Sequence, residues 1–135
     1  MTTLEISRKC YDQILAWSLS YDEIGFICAG RAQKITHVFR VPNVADDTRN
    51  RYKWDQRKKR GAIREIEALG LKVIAEGHSH PSPKHEERPS QADIEYFILG
   101  RPHIIAFPIE MILKSWTLSK SVKETILNKI NILIN

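Results

Sequence analysis

Apolar residues recur every three or four positions at Ile6, Cys10, Ile14, Leu15 and Leu19, which predicts a first helix over residues 7–20. The rhythm then changes. Glu23-Ile24-Gly25-Phe26-Ile27-Cys28-Ala29-Gly30 is dense in apolar and small residues and predicts a buried strand. Over residues 34–41, Ile35, His37 and Phe39 oppose Thr36, Val38 and Arg40, the alternation of a hairpin partner that Pro42-Asn43 ends. Helical spacing returns over residues 55–69, with Ala62, Ile63, Ile66 and Leu69 facing inward and Gly70 as C-cap. A short apolar strand, 71–75, feeds straight into Gly77-His78-Ser79-His80-Pro81. Residues 81–89 hold three prolines and several charges and form a loop. Ser90, followed three residues later by Asp93, opens a third helix with the capping-box pattern. Two more strands are expected near residues 103–107 and 111–118. At the C-terminus, Val122, Ile126, Ile130, Leu133 and Ile134 fit a helix, while Ile130, Ile132 and Ile134 alternate as in a strand; the spacing favours helix. The sum is an α/β chain with a single mixed sheet, helices packed on it, and one domain over residues 1–135.

Composition narrows the class. Of 135 residues, 42% are apolar and 27% charged, which excludes wholesale disorder. No apolar run approaches the ~20 residues of a membrane-spanning helix. Met1-Thr2-Thr3-Leu4-Glu5 lacks the basic start and apolar core of a signal peptide, and two cysteines, Cys10 and Cys28, fit a reducing compartment. The expectation is a cytoplasmic protein with no membrane partner. The formal charge is +5, from 21 Lys and Arg against 16 acids. Much of the excess is Arg49, Arg51, Lys53, Arg57, Lys58, Lys59 and Arg60, interrupted by Asp55. Such a run suits an acidic protein surface, nucleic acid, or simply a solvated helix face. Trp17, Trp54 and Trp116 are too scattered for a base-stacking platform, which weighs against nucleic acid.

Chemistry concentrates elsewhere. His78 and His80, two apart at a strand end, project to one side. Two neutral imidazoles can hold a zinc ion at about 2.0–2.1 Å, and Asp93 on the next helix can add a carboxylate oxygen. Three protein ligands leave the fourth tetrahedral position to water, the catalytic arrangement. Zinc lowers the pKa of that water to about 7, and a carboxylate that takes its proton completes a hydrolase. Glu23 starts a strand of apolar and small residues, where shelter raises its pKa toward neutrality. Glu76, two before His78, is its rival. Ser90 could donate its hydroxyl to an oxyanion. His85 is a spare ligand in a Pro-rich loop, Glu86 and Glu87 read as solvated, and His37 and His103 read as packing or edge residues.

Glu23, then His78-Ser79-His80-Pro81, then Ser90-Gln91-Ala92-Asp93 resembles the JAMM motif of the JAB1/MPN/Mov34 metalloenzymes: Glu, a gap, His-Ser/Thr-His-Pro, a short loop, Ser-x-x-Asp. The strand after Glu23 is similar to the family's Glu-x-x-Gly-x-x-x-Gly pattern, and the likeness runs in order from Thr3 to about Leu118. The resemblance implies a short, stand-alone, prokaryotic-type MPN domain on a cytidine-deaminase-like fold. It implies a zinc-dependent peptidase or isopeptidase, with His78, His80 and Asp93 as ligands, Glu23 activating water and Ser90 stabilising the oxyanion. The implied substrate is a ubiquitin-like or sulfur-carrier protein, cut at its C-terminus. Two departures stand out. Nine residues separate His80 from Ser90 where about seven are usual, and Gly77 replaces a common aromatic, which would open the groove beside the metal. Two other readings are a non-catalytic MPN-type interaction module, which would lack motif residues this chain keeps, and a nucleic-acid-associated protein using residues 49–60. A zinc deaminase would need Pro-Cys-x-x-Cys, which is absent.

Overall fold

The computed structural model describes residues 2–82 and 87–135; His85 and Glu86 therefore lie outside the described residues. Seven strands and three helices follow in the order β1 (Thr3–Ile6), α1 (Arg8–Ser18), β2 (Gly25–Arg31), β3 (Lys34–Val41), α2 (Gln56–Ala68), β4 (Lys72–Ser79), α3 (Gln91–Tyr96), β5 (His103–Phe107), β6 (Ile112–Lys120) and β7 (Thr125–Ile134). The strands close into one barrel in the order β1-β3-β2-β4-β5-β6-β7. β1 runs parallel to both β3 and β7 and joins the two ends.

Closure explains the one element that the sequence reading places in the wrong class. The C-terminal segment is a strand, not a helix. Its apolar residues satisfy both periods, and pairing decides between them. β7 forms an antiparallel ladder with β6 from Ser115↔Ile130 to Lys120↔Thr125 and a parallel one with β1 from Thr3↔Asn131 to Ile6↔Ile134. A helix there would leave the backbone groups of two neighbouring strands without partners.

Side chains from all seven strands meet in one core, into which α1 sinks Cys10, Tyr11, Ile14 and Leu15. Ser7 caps α1 by accepting from the Cys10 N–H, and the Tyr11 hydroxyl accepts from Leu113 N at 3.2 Å. The outer face of β2 and β3 is covered by α2 through Ile66, which is fully buried beside Ile27, Ala29 and Val41. Burying such a side chain contributes about 1.5–3 kcal/mol. Leu69, expected on that face, is 50% exposed, because the helix has already ended at its cap there. Both cysteines are buried and unpaired.

Functionally, the key element is β4. It runs beyond the expected 71–75 and carries His78 within the ladder, flanked by antiparallel β2 and parallel β5. Gly77 does not open a groove. A Cβ there would lie 2.3 Å from the Phe26 ring and 2.5 Å from Ile104 O, so the missing side chain lets Phe26 fill the core. No described helix is long and apolar enough to cross a membrane.

Candidate metal centre

Glu23 lies just ahead of β2, and the end of β4 holds it there. The fully buried Ser79 hydroxyl accepts from Ile24 N at 2.9 Å, while Ser79 N donates to Ile24 O at 2.9 Å. From the other side, Glu23 N donates to Thr48 O at 2.8 Å, and Asn43 Nδ2 donates to Glu23 O at 2.9 Å. Asn43 is the hub of the loop between β3 and α2. The same amide reaches Arg51 O at 2.8 Å, and its oxygen accepts from Ala45 N and Lys53 N. Ser79 belongs to the His-Ser-His-Pro run, but the parts of Thr48 and Asn43 are not visible as a sequence pattern.

His78 and His80 converge as their spacing predicts. Their Nε2 atoms are 3.1 Å apart, and the Asp93 carboxylate spans the pair, Oδ1 at 3.0 Å from His78 Nε2 and Oδ2 at 2.9 Å from His80 Nε2. Asp93 is aimed by the capping box. Ser90 N donates to Asp93 Oδ2 at 2.8 Å, and Asp93 N donates to Ser90 Oγ at 3.1 Å. Glu23 completes the cluster, with its carboxylate and the two imidazoles all within 4.8 Å of one another.

Donor chemistry and spacing both fit a divalent cation. Ligands on a tetrahedral zinc at about 2.0–2.1 Å stand about 3.3–3.4 Å from each other. The three contacts of 2.9–3.1 Å approach that edge length with small adjustment. His78 Nδ1 meets His103 Nε2 at 2.7 Å. With the proton on His78 Nδ1, that ring donates to His103 and presents a bare Nε2 lone pair to the site, the usual outer-shell device for a ligating histidine. His103 is therefore more than the packing or edge residue its sequence context suggests. Phe97, at the end of α3, stacks on it at 4.2 Å and so ties the helix bearing Asp93 to the ring behind His78. A lone histidine opening an apolar strand was the one available signal.

Electrostatics divide the acids by role. Burial, then the nearby Asp93 and Asp47 carboxylates, push Glu23 up to about 8, the sheltered acid that its strand setting implies. Burial alone would also raise Asp93, but hydrogen bonds from His78 and His80 win and hold it well below the usual carboxylate range. Burial lowers His80 against the pull of Asp93, and it lowers His103 strongly; both favour neutral imidazole. Glu76 is not an equivalent rival to Glu23. It is buried, but its carboxylate is paired with Lys59 of α2 and faces Arg101 at 3.6 Å. The Lys59 ammonium also sits 4.4 Å over Trp54, whose neighbour Tyr52 stacks along His78. Tyr52 takes that place because a Cβ at Gly25 would collide with its ring at 1.8 Å. A cavity of about 380 Å³ opens onto the cluster, lined by Glu23, Ser90 and Asp93 with Arg51, Tyr52 and Tyr96 at its walls.

Residues 7–119 match the model of a family described as prokaryotic homologs of the JAB domain. The chain belongs to that family. The fold of this JAB domain is similar to a crystal structure of a JAB1/MPN domain protein from Archaeoglobus fulgidus, at TM-score 0.59 and 22% identity, covering 98% of this chain and 100% of that one. It is also similar to the solution structure of a Desulfitobacterium hafniense protein, at TM-score 0.83 and 19% identity, covering 98% and 92%. No curated protein matches the chain significantly. JAB domain families include metallopeptidases, and this member brings Glu23, His78 and His80 together as a possible metal site.

Proposed function

We propose that this JAB domain, acting as one unit over its whole length, is a zinc-dependent peptidase or isopeptidase. The substrate we infer is an amide at the C-terminus of a ubiquitin-like or sulfur-carrier protein. The observation that carries the reading is the convergence of His78, His80 and Asp93 within 3.1 Å of each other, beside a buried acid held near neutrality. His78, His80 and Asp93 would hold the ion. A zinc ion so bound supplies Lewis acidity toward a carbonyl and a water pKa of about 7. Glu23, poised at about 8, takes a proton from the attacking water and returns it to the leaving amine. The Ser90 hydroxyl uses its oxygen to accept from Asp93 N, which leaves its hydrogen to donate to the tetrahedral oxyanion. Glu76 is engaged by Lys59 and faces Arg101, away from the ligand cluster, so it takes no part.

A non-catalytic interaction module explains neither the buried, raised Glu23 nor the ligand-grade geometry opposite it. The test is elemental analysis joined to hydrolysis of a Gly-Gly-ending carrier carrying an amide-linked extension. The wild type should hold about one zinc per chain and cleave; Glu23→Gln should keep zinc and lose cleavage. A zinc-free wild type, or a fully active Glu23→Gln, overturns the reading.

A further inference from the structure

The fold redistributes the basic run of residues 49–60. Arg49 donates to Tyr21 O at 2.6 Å and lies 3.9 Å over the Tyr21 ring, so it anchors a loop. Lys59 turns inward to Glu76. Arg57, Lys58 and Arg60 remain exposed and join Arg64, one turn further along α2, and Arg40 of β3 around a groove of about 1010 Å³. Glu65 is the one carboxylate lining it, and among the described residues none of those five cations is in an ion pair. Like charges gathered around the apolar Phe39 and Ala62 repel one another, and carboxylates from outside relieve that repulsion.

The groove also leads somewhere. Arg40 and Pro42 line it and the adjacent cavity of about 440 Å³, whose far wall includes Glu23. Glu23 in turn lines the cavity that holds Ser90 and Asp93. Shared lining residues thus place the groove beside that cavity, and that cavity beside the metal centre.

We propose that the α2–β3 groove is the docking surface for an acidic face of the partner protein, which then extends its terminus past Arg40 and Pro42 to Glu23. The proposal rests on the peptidase reading for what happens at the end of that path, but not for the docking itself. A protein occupant suits the site better than nucleic acid. Phe39 is the one aromatic side chain lining the groove and is half-buried, so bases find no stacking platform.

The test is binding of a fluorescent poly-L-glutamate of about 20 residues to the zinc-loaded Glu23→Gln protein, followed by anisotropy at low and high salt, with a 20-base-pair DNA duplex run in parallel. Two variants change the groove differently. The triple Arg57→Glu/Arg60→Glu/Arg64→Glu reverses its charge. Gly61→Trp fills it, since a Cβ at Gly61 meets nothing within 4 Å and the helix gains rather than loses propensity. Arg8→Glu/Lys9→Glu on α1 is the control. Polyglutamate should bind the parent, weaken as salt rises, lose at least about tenfold in both groove variants and change less than about twofold in the control. Equal loss in the control, or unchanged affinity in Gly61→Trp, overturns the groove. Duplex DNA binding more tightly than polyglutamate overturns the protein occupant. Binding that depends on the groove in a protein that hydrolyses nothing leaves the docking surface standing and removes the peptidase; cleavage of the carrier with an unchanged KM in the triple variant does the reverse.

Discussion

Replacing Glu23 by Gln should stabilise the metal-free protein, and by an amount set by pH. The folded state raises this carboxyl from 4.5 to about 8, through burial first and the Asp93 and Asp47 charges second. Below pH 4.5 the acid is protonated folded or unfolded, so it contributes no pH dependence. Between 4.5 and 8 the unfolded chain releases the proton while the folded chain keeps it, so folding must take one up and stability falls as pH rises. Above pH 8 both states are ionised and the penalty is complete. At about 1.36 kcal/mol per pH unit the ceiling is just under 5 kcal/mol, and relaxation around the charge brings the expectation to about 2–4 kcal/mol. Gln keeps the size and polarity of the protonated acid and carries no such penalty. Thermal unfolding of EDTA-treated wild type and Glu23→Gln, followed by circular dichroism from pH 4.5 to 9, should give coincident curves at the acid end. The variant should lead by roughly 10 °C at pH 8.5. Zinc should narrow that gap by offsetting the carboxylate repulsion. A difference that does not vary with pH, or a wild type that gains on the variant as pH rises, refutes the account of Glu23.

Other residues give separate expectations. Ser79→Ala should cost about 1–3 kcal/mol in denaturant unfolding, because the buried Ile24 N–H loses its side-chain acceptor, and zinc content should hold. Asn43→Ala frees the loop from the Glu23 backbone; turnover should fall while zinc stoichiometry, read by elemental analysis, stays at one. His103→Phe removes the partner of His78 Nδ1 and should weaken zinc about 10–100-fold in chelator competition, with His103→Gln recovering part of the loss. Glu76→Gln removes the charge facing the half-buried Lys59 and should destabilise by about 1–3 kcal/mol in the same unfolding assay, without shifting the pH profile of hydrolysis.

Most of the fold follows from periodicity. α1, β3 and β5 arise where the spacing places them, and Ser90 caps α3 as its partner three residues on predicts. β7 did not follow, since its isoleucines satisfy two periods and only long-range pairing with β1 and β6 selects one. The convergence of His78, His80 and Asp93 was equally legible, because their residue types and spacing announce it. Its supports were not. Ser79, Asn43 and His103 act through contacts that join residues 55, 20 and 25 positions apart; a motif serine and a histidine opening an apolar strand are visible, but the partners they reach are not. The charged run of residues 49–60 was visible but undivided until the helix turned Lys59 inward and left its neighbours facing a groove.

Zinc-edge anomalous diffraction from crystals of the zinc-loaded protein bears most directly on the metal centre. One strong peak should lie about 2.0–2.2 Å from His78 Nε2, His80 Nε2 and an Asp93 oxygen, with Glu23 outside bonding distance. A peak bonded to other residues, or one whose fourth position is filled by the Glu23 carboxylate, would contradict the assignment of Glu23 as the base beside an open site.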